Sequence, residues 1–153
     1  MATPLEQWVT DAAKMTRPQK VVWCDGSEAE YEGLIEHMLD DGTLMRLNQE
    51  AYPGCYLHRS HPSDVARTEH LTFICSPERD DAGPTNNWMP PTDARDKVGK
   101  LFEGSMQGRT MYVVPYIMGP VESPYSKVGV EITDSPYVAA SMRIMTRMGK
   151  VAL

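Results

Sequence analysis

Residues 110–136 hold two apolar runs of strand length followed at once by a helix start. Thr110 to Met118 is TMYVVPYIM and Lys127 to Thr133 is KVGVEIT. Both carry β-branched side chains, and the first also two tyrosines, which suit a pleated, packed surface. Gly119, Pro120 and Pro124 lie between them and predict a connecting loop. Asp134-Ser135-Pro136 then joins a capping side chain to a proline suited to the first helical position. The helix is expected to run to Met148, with Gly149 as its stop.

The upstream chain alternates in the same way. Thr3, Pro4 and Glu6 predict a capped helix start, and Leu5, Trp8, Val9, Ala12 and Ala13 share one helical face. Lys20 to Trp23 is a short apolar run that predicts a buried strand, turned by Asp25-Gly26. Ser27 with Glu30 predicts a second capping box, and Gly42 ends the helix that follows. Leu44–Leu47, Cys55–His58 and Leu71–Cys75 are shorter strand candidates. Ser63 can cap a brief helical turn through Asp64, Val65, Ala66 and Arg67. Residues 76–91 are broken by four prolines and Gly83 and predict a long loop. Thr92 or Asp93 opens a third helix, which Gly104 closes. Helices alternating with strands give an α/β or α+β class: a mixed β-sheet flanked by helices.

Composition removes several functions. At 41% hydrophobic and 24% charged residues, the chain can bury a core and is too mixed to be disordered. No apolar run approaches the ~20 residues that a membrane helix needs. The N-terminus lacks a basic stretch before an apolar block and carries Glu6 and Asp11, so a cytoplasmic location is expected. A net charge of −6 disfavours nucleic-acid binding, which requires clustered Lys and Arg. Cys24, Cys55 and Cys75 form no CxxC pair and are expected to be reduced and mostly buried.

General catalytic templates are missing: no GxxxxGK[ST], no strand-linked GxGxxG, no HExxH, no GxSxG. His58 and His61 stand near Asp64, but nothing completes a four-ligand set, and a polar loop is the preferred reading. Arg67 ends a short turn and can present its planar fork to a carboxylate, with Glu69 facing the same cleft. On spacing alone a surface Arg–Glu pair of little energy is favoured. The Asp134-Ser135 helix start could hold an anion, although a simple capped helix is preferred. Arg143 and Arg147, four apart, are expected on one helical face, as a basic ridge for a phosphate or, more often for such a pair, solvated or bridging to another element. Met142, Met145 and Met148 are expected as flexible core filling. Arg109 is expected to anchor an internal ion pair without a catalytic role.

Five segments, in order, cover nearly the whole chain: VVWCDGS at 21–27, SHPSDVARTEHLTFICS at 60–76, GPTNNW at 83–88, GRTMYVVPYIMGP at 108–120 and GVEITDSPYVAASMRIMTRMG at 129–149. Together they resemble the N-terminal region of GTP-dependent phosphoenolpyruvate carboxykinase. The resemblance implies that residues 1–153 are part of that enzyme's N-terminal, substrate-binding domain. It implies conversion of oxaloacetate and GTP to phosphoenolpyruvate, GDP and CO₂, as in gluconeogenesis, with Mn²⁺ and with Mg²⁺ accompanying GTP. Decarboxylation yields an enolate whose oxygen takes the γ-phosphoryl group, a transfer governed by positioning and charge neutralisation. Arg67 matches the family arginine that grips the substrate carboxylate. Glu69 matches the glutamate that helps hold a mobile lid closed.

The family's metal-binding Lys, His and Asp, its phosphate loop with a reactive cysteine and its guanine pocket have no counterpart here. They are expected beyond Leu153, so this segment is expected to bind no metal or cofactor. Alone it is expected neither to bind GTP productively nor to turn over, and the full-length enzyme is expected to be a monomer with no nucleic-acid or membrane partner. The alternatives are a non-catalytic small-anion binding module built on Arg67, or an inactive structural fragment.

Overall fold

The first helix, α1 (Pro4–Thr16), starts as its sequence demands. The Glu6 N–H donates to the Thr3 hydroxyl at 3.2 Å, and the Thr3 N–H donates to the Glu6 carboxylate at 2.7 Å. The computed structural model describes residues 2–65 and 67–153. After α1 come β1 (Lys20–Trp23), α2 (Glu28–Asp40), and the antiparallel pair β2 (Leu44–Arg46) and β3 (Tyr56–His58). β4 (Phe73–Ile74), just before the long loop, pairs in parallel with β5 (Asn87–Trp88) within it. Then follow α3 (Pro91–Phe102), β6 (Thr110–Met118), β7 (Lys127–Thr133), α4 (Pro136–Met145) and β8 (Arg147–Met148).

β6 is the centre of a four-stranded sheet. β1 pairs with it in parallel over Thr110–Val113, and β8 pairs antiparallel at Tyr116 and Ile117. β7 runs antiparallel along the other edge, from Tyr112↔Thr133 to Met118↔Lys127. Pro115 has no N–H to give a ladder. It stands between the last residue paired with β1 and the first paired with β8, and its carbonyl accepts from the Gly149 N–H at 2.8 Å.

Alternate β6 side chains serve two cores, as strand geometry requires. Met111 and Val113 are fully buried with Val9 of α1. Val114 packs on the opposite side with Leu34, Ile35 and Met38 of α2 and with Ala139, Ala140 and Met142 of α4. The class is therefore α/β: a mixed sheet between helical layers.

Several local expectations are corrected. β1 is not buried: Val21 and Trp23 remain exposed beside α1, because β1 is an edge strand and α1 covers it only partly. The strand expected at Leu71–Cys75 shrinks to β4, because Glu69–Leu71 forms a 3-10 turn. The second capping box is half made. Ser27 accepts from the Glu30 N–H at 3.1 Å, but the Glu30 carboxylate reaches back to the N–H groups of Asp25 and Gly26. Neither Thr92 nor Asp93 opens α3; Pro91 begins it after Pro90, without a side-chain cap.

α4 stops at Met145 rather than Met148. Thr146 turns extended, at φ −133° and ψ 176°, so that Arg147 and Met148 can join β6. Met145 is consequently exposed, while Met142 and Met148 are buried. Where β8 ends, Gly149 (φ +93°) meets the Asp25-Gly26 turn (Gly26 φ +75°). A β-carbon on Gly149 would overlap the Asp25 carbonyl, and one on Gly26 would overlap the Met148 carbonyl.

Candidate functional site

Arg67 projects from the loop between β3 and β4. Its side chain is 89% exposed, and its guanidinium lies 4.0 Å from the carboxylate of Glu69, whose side chain is 73% exposed. At that distance and exposure the pair is a loose ion pair worth little energy, which leaves the guanidinium fork available. The turn expected through Asp64–Arg67 is instead a 3-10 turn over Pro62–Val65, which starts earlier and ends before Arg67; Ala66 lies outside the described residues. Glu69 opens the next 3-10 turn, in which the Leu71 N–H donates to the Thr68 carbonyl at 2.8 Å and the Thr72 N–H to the Glu69 carbonyl at 3.1 Å.

This loop is tied from one side. The Asn87 side-chain amide donates to the Glu69 carbonyl at 2.8 Å and to the Thr72 carbonyl at 3.1 Å. The Trp88 indole N–H donates to the Ser76 carbonyl at 3.0 Å. The Met89 N–H donates to the Ile74 carbonyl at 3.3 Å. The Asn86 amide folds the approach to β5 by donating to the Ala82 carbonyl at 2.6 Å.

The other candidates have structural partners. His58 Nδ1 meets the Thr43 carbonyl at 2.9 Å, and its ring stacks on Tyr137 at 4.2 Å. His61 Nδ1 lies 2.6 Å from the Ser63 hydroxyl. The two histidines are thus engaged separately, and the Asp64 side chain expected near them lies outside the described ones. Ser135 caps α4 by accepting from the Val138 N–H at 3.3 Å, which favours the capped-helix reading over an anion site. Asp134 instead pairs with Arg109 at 2.6 Å. That ion pair is at the surface rather than internal, since Arg109 is 63% exposed.

Arg143 and Arg147 do not share a helical face. Arg143 pairs with Glu28, donates to the Gly26 carbonyl at 3.3 Å and lies over the Tyr31 ring. Arg147, in β8, donates to the Gly119 carbonyl at 2.7 Å. The three cysteines are free thiols, but only Cys24 is buried; Cys55 and Cys75, each beside a short strand outside the main sheet, are exposed.

The sequence model of the phosphoenolpyruvate carboxykinase N-terminal domain matches residues 7–153. The chain belongs to this family. The protein of Anaeromyxobacter dehalogenans (strain 2CP-C) named phosphoenolpyruvate carboxykinase (GTP) is 60% identical over 146 residues, covering 95% of this chain and 24% of that protein. The protein of the same name from Corynebacterium jeikeium is 56% identical over the same coverage. That of Chlamydia muridarum is 52% identical over 149 residues, covering 97% of this chain and 25% of its own length. The chain thus spans about a quarter of the length of these relatives.

Within this carboxykinase domain, sequence reasoning singled out Arg67 and Glu69 and passed over Asn87. GPTNNW carries no periodicity that would flag it. Its significance lies in hydrogen bonds to carbonyls 15 and 18 residues away.

Proposed function

We propose that this chain is the substrate-side part of a GTP-dependent phosphoenolpyruvate carboxykinase and that Arg67 grips a carboxylate of oxaloacetate or phosphoenolpyruvate. In the whole enzyme this reading assigns the conversion of oxaloacetate and GTP to phosphoenolpyruvate, GDP and CO₂. The observation that carries it is the Arg67 side chain, 89% exposed and held only loosely by Glu69. Its support is membership of the family and the printed names of relatives 52–60% identical. A planar fork with two parallel N–H groups orients a carboxylate as well as attracting it. Glu69, beside it, is read as a contact for a lid that closes over bound substrate.

The same reading places GTP or GDP and the divalent metal, Mn²⁺ with Mg²⁺ on the nucleotide, on parts of the enzyme other than these residues. Among the described residues no three His, Cys, Asp or Glu side chains gather. They do not fit a metal site, and no step is assigned through one. The reading holds the whole enzyme to be cytoplasmic and monomeric, with no nucleic-acid or membrane partner. No helix among the described residues is long and apolar enough to cross a membrane.

Calorimetric titration of phosphoenolpyruvate and of oxalate into the chain tests the proposal. A hydrogen bond to a charged group contributes about 1.5–3 kcal/mol, so Arg67→Ala should weaken binding about tenfold to a hundredfold. Arg67→Lys should recover only part of it, since the ammonium keeps the charge but not the fork. Equal affinity in parent and Arg67→Ala would remove the proposal.

A further inference from the structure

We propose that Asn87 is a positioning residue for the Arg67–Glu69 loop, a role that rests on the carboxylate-binding reading above. The loop carrying Arg67 and Glu69 has few bonds of its own. Its 3-10 turn is closed by the Leu71 and Thr72 N–H groups and by the Thr72 hydroxyl, which donates to the Thr68 carbonyl at 3.1 Å. A single 3-10 turn has poor hydrogen-bond geometry and little independent stability. The Glu69 carbonyl, which already accepts from the Thr72 N–H, and the Thr72 carbonyl both accept from one further donor, the Asn87 amide nitrogen.

The chemistry of the tie is specific. A side-chain amide nitrogen carries two hydrogens, and Asn87 Nδ2 meets two acceptors, at 2.8 and 3.1 Å. The opposite amide orientation would set an oxygen against both carbonyls, so the network itself fixes which way the amide faces. The next residue, Trp88, and the β4–β5 pairing Phe73↔Asn87 and Ile74↔Trp88 anchor the donor's own backbone. Asn87 therefore couples a paired segment to a turn that otherwise stands at the surface. It restricts where the backbone of Glu69, and of Arg67 two residues before it, can sit. A preorganised guanidinium binds a carboxylate with less ordering to do on arrival.

Two variants test this. Asn87→Asp keeps the shape and turns the donor into an acceptor; Asn87→Ala removes both. Amide hydrogen exchange is followed at Leu71 and Thr72, and at Val113 and Val114 of β6 as a reference for the whole fold, while phosphoenolpyruvate is titrated into each protein. Exchange at Leu71 and Thr72 should quicken in both variants, more in Asn87→Asp, with β6 unchanged. Affinity for phosphoenolpyruvate should fall about fivefold, the effect of losing the preorganisation that the two neutral hydrogen bonds supply.

Unchanged exchange at Leu71 and Thr72 overturns the inference, as does faster exchange with parental affinity. Equal loss of protection in β6 also overturns it, because Asn87 would then be a general stabiliser. If the parent binds no phosphoenolpyruvate, the reading of Arg67 fails and positioning for substrate fails with it. The exchange data then still report whether Asn87 braces the turn, so the two failures are told apart.

Discussion

Cys24, directly after β1, is 2% exposed, and its thiol is pushed up from an ordinary 9.0 to about 12. Loss of water is the main cause, and the neighbouring Glu30 carboxylate adds to it. The folded thiol holds its proton to a higher pH than the unfolded one. Its contribution to stability is therefore complete below pH 9 and is lost as the pH rises from 9 towards 12. At pH 8, a thiol reagent should modify Cys55 and Cys75 in the native protein and reach Cys24 only after denaturant is added. Denaturation at pH 8.5 and 10.5 should show a loss in the parent that is smaller in Cys24→Ala. A Cys24 that reacts as fast as the other two would contradict this picture. Three scattered cysteines gave no means of telling which thiol packs, because burial depends on what the rest of the chain lays over each one.

The boundaries of α4 and β8 show where local signals stop deciding. Ser135-Pro136 marks the start of α4 correctly, since a cap and a proline act within one turn. Its end is set by β6, which takes Arg147 and Met148 as ladder partners. That ladder delivers Gly149 against the Asp25-Gly26 turn, where two backbones cross at glycines. Gly149→Ala should lower stability by more than about 1 kcal/mol, since φ +93° and the missing space both oppose a β-carbon. Chemical denaturation measures this, with Gly33→Ala as a comparison at an α2 position where a β-carbon meets nothing within 4 Å. An equal or smaller loss at Gly149 would show that the crossing relaxes freely. β1 follows the same logic. Its apolar run was legible, but whether a strand lies inside a sheet or at its edge depends on which strands pair beside it.

For the molecule as a whole, a four-stranded sheet between helical layers and two small strand pairs leave the Arg67 loop at the surface and bring no cluster of metal ligands together among the described residues. Phosphoryl transfer depends on charge neutralisation, which the function proposed above assigns to other parts of the enzyme. The pure 153-residue chain, supplied with oxaloacetate, GTP and Mn²⁺, is expected to form no phosphoenolpyruvate above background. Phosphorus NMR of the mixture checks this, and accumulating phosphoenolpyruvate would refute the division of labour proposed for these residues. The α/β class, the caps of α1 and α4, the two long strands and the family itself could all be read from the order of residues. Each of those signals is a period, a cap or a motif contained in a few neighbours. The exposure of β1, the early end of α4, the crossing at Gly26 and Gly149 and the Asn87 tie could not be read that way. Each depends on partners between 15 and more than a hundred residues apart, such as Asn87 with Thr72 or Gly149 with Asp25, and only folding brings those partners together.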